Sequence, residues 1–423
     1  MAQLTDDCFA FSGPLLRLDE MERLIAERLA PVAEIERVPV AASRGRVVAA
    51  DVIAPVSLPP FDNSAVDGYA VRHADLDAKS DTRLGIVGRL QAGAAAVAAL
   101  GTREAIRIFT GAPMPAGADT VFMQEDVTVD DDAVVLPAGL ARGANRRLAG
   151  EDMPKGGVAL RAGTVIEPQH IALAAALGIT QIDVRRKIKV AVFSTGNEVV
   201  EPGRVLQPAA IYDANRFLLR ELLERTGAAV TDLGILPDDP ELLSQALRAA
   251  ARDHDLIVTS GGVSTGEADY VRAAVERIGK LVFWRVAIKP GRPVALGVIA
   301  GANGGSAAFV GLPGNPVAVF VTFVRVVRAL LRRLAGAAPA SFVPLPVRAS
   351  FAYRKKKDRR EYVRVALRPG ADGVLEAVKH PQDGAGVITS LTETDGLLEL
   401  PEDVTVIAPG DPVGFLPYAV LLG

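Results

Sequence analysis

The sequence has almost none of the residues that cross-link a chain or bind zinc. Its single cysteine, Cys8, excludes a disulfide bond within the chain and is typical of a cytoplasmic protein. Its four histidines are scattered, and no Cys/His spacing typical of a zinc site is present. We therefore expect neither a disulfide scaffold nor a zinc site.

Long apolar runs and a strong excess of one charge are also missing. The most apolar late stretch, residues 317–331, is interrupted by Arg325 and Arg328, which argues against a membrane span. The opening residues are acidic where a signal peptide is basic. The formal net charge of −3 argues against general nucleic-acid binding. We expect a cytoplasmic protein that binds neither membranes nor nucleic acid.

Glycine, proline and apolar residues are, by contrast, abundant. The 423 residues include 40 Gly and 28 Pro, and 49% of them are apolar, which provides for a large core with many turns. At roughly 150 residues per domain, the length suggests about three domains. Strands alternate with helices from residue 187 to about residue 334, whereas short strands and turns dominate residues 81–136 and 347–423.

This pattern predicts a multidomain α/β plus β protein. Its parts are a mixed N-terminal α/β domain, a small β domain inserted within it, a central doubly wound α/β domain, and a C-terminal β domain that is either a barrel or a sandwich. Their predicted ranges are, in the same order, 1–57 with 148–183, 58–147, 184–336 and 337–423.

The most informative stretch is residues 255–269, DLIVTSGGVSTGEAD. Residues 256–259 have the composition of a short buried strand, two glycines interrupt it, and a helical pattern follows at residues 270–278. A strand, a glycine turn and a helix start together present backbone N–H groups to an anion. The alternative interpretation is an ordinary strand-to-helix turn whose acidic residues cap the helix.

Four further loops of the central domain also follow predicted strands. Because ligands of such sheets bind at the carboxyl ends of the strands, these loops should gather with residues 260–269 at one edge. That edge would hold glycine turns, a lysine, an arginine and several carboxylates, which suits a phosphorylated ligand and a divalent metal. The four loops are residues 194–198, 238–239, 289–293 and 311–316.

Three loops of the N-terminal half are also candidate functional loops. Residues 59–70 contain Asp67, and residues 144–152 end on Asp152. Thr110 stands where a strand meets a turn rich in Gly and Pro. Each loop has an ordinary explanation as well, namely local Asx and Ser turns, a salt-bridged surface turn, or a simple connection between strands.

One short stretch also matches a motif of serine hydrolases. The sequence GVSTG at residues 262–266 fits the G-x-S-x-G elbow. In that elbow the serine follows the strand directly, but Ser264 comes five residues after Thr259, and His380 is the one histidine that follows it. We therefore rank a serine hydrolase below an anion-binding site.

Seven motifs occur in a fixed order along the chain: PFDNSAVDGYA, TGAPMPAGADTV, RRLAGED, FSTGNE, SGGVSTGEADY, AIKPGRP and GLPGNPVAV. As an ordered set, spanning about residues 15–420, they resemble the molybdopterin molybdenumtransferases, the family of MoeA and of the gephyrin E domain. The central domain also resembles the molybdopterin adenylyltransferases, which lack the polar loop at residues 59–69 and both β domains. Of the two C-terminal β architectures, we expect the barrel.

The resemblance implies a transferase that inserts molybdenum from molybdate into adenylylated molybdopterin, with Mg²⁺ supporting the release of AMP. It also implies a homodimer. The molybdopterin adenylyltransferase and the molybdoenzymes that accept the cofactor are further candidate partners. Two alternatives share this fold, a molybdopterin-binding scaffold such as gephyrin and an adenylyltransferase-like protein.

The resemblance also implies roles for single residues. Mg²⁺ would bind Glu198 and Asp269. Asp67, Thr110 and Asp152 would approach the α/β domain of the partner subunit. The implied catalytic residues are Asp67, Asp152, Asp269 and Lys289. The implied substrate-binding residues are Thr110, Thr195, Gly196, Asp238, Gly261, Gly262, Ser264, Arg285, Arg292, Pro313, Pro316, Arg359 and Ser390.

Within these sets, Arg359 and Ser390 match the C-terminal domain, where the family binds molybdate. One stretch and two residues depart from the family pattern. The stretch is residues 380–390, HPQDGAGVITS, which differs from the serine-containing loop usual there. Arg285 stands where lysine is common, which keeps the charge but changes the donor geometry. Asn197 replaces the aspartate of the TGDE motif, which removes one negative charge beside the expected metal.

Overall fold

The computed structural model describes residues 8–9, 15–94, 99–261, 270–301 and 305–422. Its centre is a six-stranded sheet with four parallel strands and two further strands at one side, the inner of which is antiparallel to both its neighbours. Antiparallel strands at the side of an otherwise parallel sheet are common in large sheets. In spatial order the strands are Ala229–Leu236, Lys189–Thr195, Leu256–Ser260, Ser306–Leu312, Pro293–Ala300 and Gly279–Arg285.

Helices cover both faces of this central sheet, which confirms the doubly wound prediction. Successive residues of a strand point to opposite faces. Accordingly, Val190 and Val192 pack into one core, while Ala191 and Phe193 pack into another. The helices Asn215–Arg225 and Pro316–Thr322 contribute to the first core, and the helices Pro240–Asp253 and Tyr270–Ile278 contribute to the second.

A smaller N-terminal unit is built from segments on both sides of residues 58–147. Its antiparallel sheet places Gln181–Arg185 between Ile35–Pro39 and Val47–Val48. The helix Pro168–Ala176 shares a core with this sheet. The strands Val52–Ile53 and Val158–Leu160 form a separate pair. The first helix, Leu18–Arg28, instead buries its apolar face in the first core of the central sheet.

Between these segments the chain forms a second six-stranded sheet. The polar loop of residues 59–70 leads into its strand Gly68–Val71. A short pair, Asn63–Ser64 with Arg146–Arg147, joins the segment that enters this sheet to the segment that leaves it. In spatial order the strands are Thr120–Met123, Gly68–Val71, Glu104–Ile108, Thr82–Leu90, Ala133–Leu136 and Thr128–Asp130.

The C-terminal part is a closed five-stranded β barrel, as expected. Its longest strand, Arg360–Pro369, pairs with a neighbour on each side and so closes the barrel. A two-residue strand from the central part, Ile288–Lys289, pairs in parallel with the start of that strand. Around the barrel the strands are Arg360–Pro369, Leu375–Lys379, Leu345–Ala349, Pro412–Pro417 and Gly396–Leu400. Smaller elements are the pair Tyr353–Arg354 with Val406–Ile407 and the short helices Thr389–Thr392 and Tyr418–Leu422.

The apolar stretch that begins at Pro316 is a buried helix. It comprises Pro316–Thr322, a π-helical turn at Phe323–Val327, and Arg328–Leu334. Its leucines and all its valines but Val317 belong to the largest core of the described residues. Within the described ranges, no helix is both long and apolar enough to cross a membrane.

Candidate active site

The carboxyl ends of the central strands meet at one edge of the sheet. Thr195 pairs with Leu236 at the ends of two neighbouring strands, and Ser260 pairs with Leu312 at the ends of the next two. Arg285 ends the outermost strand at the same edge. The loops predicted to gather here do so, except that residues 262–269 lie outside the described residues.

The first two loops of this edge are joined through Asp238. The hydroxyl of Thr195 donates to one carboxylate oxygen of Asp238 in a short hydrogen bond. The backbone N–H of Asn197 donates to the other oxygen at 3.0 Å. Thr195 and Asp238 are therefore brought together, and both oxygens of Asp238 already accept a hydrogen bond.

Gly196 lies between these contacts in a backbone conformation that favours glycine. Its φ is +136°, and a Cβ atom built there would come within 2.9 Å of the Glu198 carboxylate. The absence of a side chain lets the exposed carboxylate of Glu198 lie against the loop. Asn197, which departs from the family motif, contributes its backbone N–H here, and its own side chain is exposed.

The loops that follow the two innermost strands approach each other through glycines. Gly261 has φ +84° and donates its N–H to the carbonyl of Leu312 at 3.0 Å. A Cβ atom on Gly314 would lie 3.9 Å from the Cα of Gly261. This close approach leaves backbone rather than side chains facing a ligand.

Asn215 holds this glycine loop, and the sequence analysis does not identify it. Its side-chain Nδ2 donates to the carbonyl of Gly314 at 2.7 Å. Its Oδ1 is buried without a hydrogen-bond partner, which is unusual for a buried polar atom. Asn215 is the first residue of a helix that follows a short strand, and this position is the one local signal for it.

Lys289 is bound to the barrel by a buried carboxylate that the sequence analysis also misses. The Nζ of Lys289 lies 3.2 Å from Glu361 Oε2, and Glu361 is only 1% exposed. Arg359 donates to the other oxygen of Glu361 at 2.7 Å, and the Tyr353 hydroxyl donates to Oε2 at 2.8 Å. Burial and the Glu361 carboxylate raise the pKa of Tyr353 above its usual range. Lys289 and Arg359, both predicted, therefore meet at Glu361.

Ser390, a predicted substrate-binding residue, does not face an open site. It is fully buried, donates to the carbonyl of Val387 at 2.6 Å and accepts from Arg364 Nε at 3.0 Å. Arg364 also donates to the carbonyls of Gln382 and Gly384, each at 3.1 Å. Burial lowers the pKa of Arg364. Ser390 and Arg364 thus support a barrel loop from beneath.

That barrel loop reaches the edge of the central sheet. The backbone N–H of Val317 donates to the carbonyl of Ala385 at 3.0 Å, directly after Pro316. Pro313 and Pro316 are half-buried beside it. Arg285 and Arg292 are exposed, and among the described contacts neither guanidinium has a hydrogen bond or an ion pair.

His380 is buried in the barrel. One ring nitrogen lies 3.0 Å from a carboxylate oxygen of Glu393, and the other lies 3.2 Å from the carbonyl of Gln382. Both nitrogens are therefore occupied by neighbours in the barrel. This arrangement gives no support to the serine hydrolase interpretation.

Asp67 and Thr110 form a hydrogen-bonded pair in the second six-stranded sheet rather than in the central sheet. The Asp67 carboxylate accepts from the N–H of Thr110 at 2.8 Å and from its hydroxyl at 2.7 Å. The backbone and side-chain bonds of Thr110, in that order, lower the pKa of Asp67. Asp152 is exposed in a turn anchored by its N–H to Leu58. In the described structure, no hydrogen bond or ion pair connects these three side chains to the central edge.

Three family models match successive parts of the chain. They are the MoeA N-terminal region (domain I and II) at residues 16–178, a probable molybdopterin binding domain at 191–333, and the MoeA C-terminal region (domain IV) at 346–418. The molybdopterin molybdenumtransferase of Haemophilus influenzae is 36% identical over 97% of this chain and 100% of its own length. This chain belongs to the molybdopterin molybdenumtransferase family.

Other molybdopterin molybdenumtransferases and their structures agree with this membership. Molybdopterin molybdenumtransferase 2 of Mycobacterium tuberculosis is 34% identical over 93% of this chain and 97% of its own length. The crystal structure of the molybdopterin biosynthesis MoeA protein from Pyrococcus horikoshii has a TM-score of 0.79 at 30% identity. That alignment covers 96% of this chain and 100% of the other. The family resemblance inferred from the ordered motifs is confirmed.

The implied magnesium site of a molybdopterin molybdenumtransferase can be compared with the donors present. Within the described ranges, no group of three or more His, Cys, Asp or Glu side chains could hold a metal by itself. Mg²⁺ is usually held by one or two carboxylates together with substrate phosphates. Glu198 at the edge fits that mode, whereas the oxygens of Asp238 are already bonded. The second implied ligand, Asp269, lies outside the described residues, as do Gly262 and Ser264.

Proposed function

We propose that this chain acts as a molybdopterin molybdenumtransferase, which inserts molybdenum from molybdate into adenylylated molybdopterin and releases AMP. The observation that carries the proposal is the Glu361 cluster. It joins Lys289, at the glycine-rich edge of the central sheet, to Arg359 of the barrel. A phosphorylated ligand at the edge and an oxyanion at the barrel would thereby be held next to each other.

The glycine loops would bind the phosphates of the substrate. Backbone N–H groups near Gly196 and Gly261 suit phosphate oxygens, because no side chain intervenes. The bond from Thr195 to Asp238 fixes the loop that presents Gly196. The exposed cations of Lys289 and Arg292 would neutralise the charge that develops on AMP as its pyrophosphate link is cleaved.

Magnesium is part of this proposal as a ligand of Glu198 and Asp269. When bound, Mg²⁺ would reduce the negative charge of the phosphates and so ease the departure of AMP. Asp67 has a different task. An aspartate is ionised at neutral pH, and the hydrogen bonds from Thr110 lower the pKa of Asp67 further, so this side chain is suited to orienting a cation or a donor rather than to taking up a proton.

The proposal also includes a homodimer in which Asp67, Thr110 and Asp152 complete the site of the partner subunit. Support comes from the described contacts of one chain, in which no hydrogen bond or ion pair links these three side chains to the loops of the central edge. A cytoplasmic location is proposed as well, which the single cysteine supports. Contacts with the preceding adenylyltransferase and with acceptor molybdoenzymes are further proposals.

The direct test is to incubate the purified protein with adenylylated molybdopterin, molybdate and Mg²⁺ and to follow AMP. We expect AMP release that depends on molybdate and that falls on Lys289→Ala but not on Arg248→Ala, an exposed arginine of the helix Pro240–Asp253. Tight binding of molybdopterin without release would instead favour a scaffold. Formation of adenylylated molybdopterin from molybdopterin and ATP would favour an adenylyltransferase-like protein.

A mixing experiment tests the composite site. Asp67→Ala and Lys289→Ala should each be inactive alone. If the site spans two subunits, exchange between the two variants leaves one intact site in each mixed dimer, and about a quarter of the wild-type activity should return. Mixtures that remain inactive after verified subunit exchange would place Asp67 and Lys289 in the same subunit's site.

A further inference from the structure

A cavity lies at the opposite end of the central sheet from the candidate active site. It is lined by Ile188, just before the strand Lys189–Thr195, and by Gly227 and Ala228, just before the strand Ala229–Leu236. Its other walls come from the N-terminal unit and from the helix Arg328–Leu334. Its volume is about 290 Å³. Neither the motifs nor the proposed reaction uses this cavity.

The lining of this cavity is strongly cationic. Eight of its residues are arginine or lysine, whereas Glu167 is its single acid. The cations are Arg44, Arg46, Arg185, Arg186, Lys187, Arg225, Arg328 and Arg332. Such a concentration of one charge contrasts with the whole chain, whose net charge is −3.

Arg186, Arg46 and Arg185 each donate to neighbouring oxygens, and the first two of these cations have a carboxylate partner. Arg186 forms a bidentate pair with Asp255, with distances of 2.7 and 2.8 Å. Arg46 pairs with Glu36, and Arg185 donates to the carbonyl of Ala33 at 3.0 Å. These contacts fix the walls of the cavity, so these residues have structural roles besides any binding role.

The other cations have no carboxylate partner. Among the described contacts, the side chains of Arg44, Lys187 and Arg225 make no hydrogen bond or ion pair, although the backbone carbonyl of Lys187 accepts from Arg186. Arg332 donates to the carbonyl of Ala338 at 2.7 Å, but its Nε is buried without a partner. Arg328 donates to the carbonyl of Leu421 at 3.2 Å.

The partial burial of Arg328 and Arg332 further indicates that the positive charge of the cavity lacks a counterion. Burial lowers the pKa of Arg332, and burial together with the charges of Arg332 and Arg325 lowers the pKa of Arg328. Placing cations together away from water is costly unless an anion accompanies them. An anion in the cavity would reduce that cost.

We infer that this cavity binds a small phosphate-bearing anion with at least two negative charges. Guanidinium groups match phosphate oxygens in both geometry and charge. The volume of about 290 Å³ is close to the lower limit of small-molecule pockets, roughly 300 Å³, which suits a compact ligand. Apolar side chains of Val47, Val165 and Leu331 add a surface for an organic part. The bound anion would link three parts of the chain.

The test measures binding of two probes, AMP and inorganic pyrophosphate, to the full chain by calorimetry. Arg44→Ala and Arg225→Ala are suitable variants, because both side chains are exposed and neither holds the fold together. We expect each to weaken binding at least about tenfold, since each removes one charged contact to phosphate. Arg225→Lys should weaken it less, and Arg248→Ala should leave it unchanged.

The candidate active site also attracts phosphates, so it is separated by its own variant. Lys289→Ala with Arg292→Ala should abolish binding at the edge and leave binding at the cavity intact. Stronger binding of AMP would indicate an organic phosphate, and stronger binding of pyrophosphate would indicate an inorganic one. Absence of binding by both probes overturns the inference. So does binding that disappears with the edge variant but survives Arg44→Ala and Arg225→Ala.

Discussion

Replacing Glu361 by glutamine provides a sensitive test of how the barrel is attached to the central sheet. The change keeps the size of the side chain but removes its charge. Lys289 at 3.2 Å and Arg359 at 2.7 Å would lose their common counterion. The NH2 group of the new amide, itself a hydrogen-bond donor, would also face one of the two donors, Lys289 or Arg359. The Tyr353 hydroxyl could still donate to the remaining oxygen.

The magnitude follows from the exposure of the three groups. A hydrogen bond to a charged group contributes about 1.5–3 kcal/mol when both partners are removed from water. Glu361 is 1% exposed, but the side chains of Arg359 and Lys289 are 30% and 47% exposed, so water replaces part of each lost contact. We therefore expect Glu361→Gln to lower the free energy of unfolding by about 2 kcal/mol in total.

Glu376→Gln is the matched control on the same barrel. Glu376 pairs with Arg348 at 2.8 Å, but its side chain is 31% exposed. Its replacement should cost less than about 1 kcal/mol. Urea unfolding followed by circular dichroism gives both values, and the fluorescence of Trp284 reports the central sheet separately. A Glu361→Gln protein within about 0.5 kcal/mol of wild type would refute the reasoning, as would equal losses for the two variants.

Three further predictions concern the contacts around the edge and the second sheet. Thr110→Val should raise the pKa of Asp67 toward its usual 3.8, because one of its two donors is lost. Since the folded pKa lies below that of the unfolded chain, this contact stabilises the protein above about pH 4 and is lost as pH falls through the folded pKa. A carboxyl carbon NMR titration with an unchanged midpoint would contradict this. Thr195→Val and Asp238→Asn should each cost about 1–2 kcal/mol of stability, and the double variant should cost little more than one alone; additive losses in thermal unfolding would mean that the pair does not interact. Asn215→Ala should raise KM for adenylylated molybdopterin about tenfold with little change in kcat, since it frees the Gly314 carbonyl and loosens that loop; steady-state kinetics with an unchanged KM would refute it.

The edge of the central sheet could be predicted because its signals are local. Alternation of buried strands with helices fixes the order of the elements, and the direction of parallel strands then brings their following loops together. The loop residues Thr195, Gly196 and Gly261 follow their strands directly, so their placement needs no knowledge of distant contacts. One strand, Pro293–Ala300, is absent from the predictions. This apolar run of eight residues directly follows the charged loop at residues 289–293. Periodicity alone does not distinguish a continuous apolar strand from a buried helix segment.

Contacts between distant segments could not be predicted in the same way. In the sequence, Glu361 is an ordinary acidic residue of a β-rich segment. Its contact with Lys289 depends on the pairing of the strand Ile288–Lys289 with the barrel. Arg364 and Asn215 are similar cases, because their partners lie in loops far along the chain. The burial of Ser390 is likewise a property of the folded barrel rather than of its neighbours in sequence.

The charge balance of the Glu361 cluster supports the proposed binding of an anion at the edge. One carboxylate neutralises one unit of charge, whereas Lys289 and Arg359 carry two. Arg359 is the more buried of the two cations, and two of its nitrogens contact the Glu361 carboxylate at 2.6 and 2.7 Å. The excess positive charge is therefore not assigned to Arg359. It is on Lys289, which has a single longer contact of 3.2 Å and a flexible, half-exposed side chain. In the proposed function, a phosphate at the edge would therefore meet a lysine that can turn toward it while Arg359 stays in place. Glu361 would limit the entropy that this lysine loses on binding.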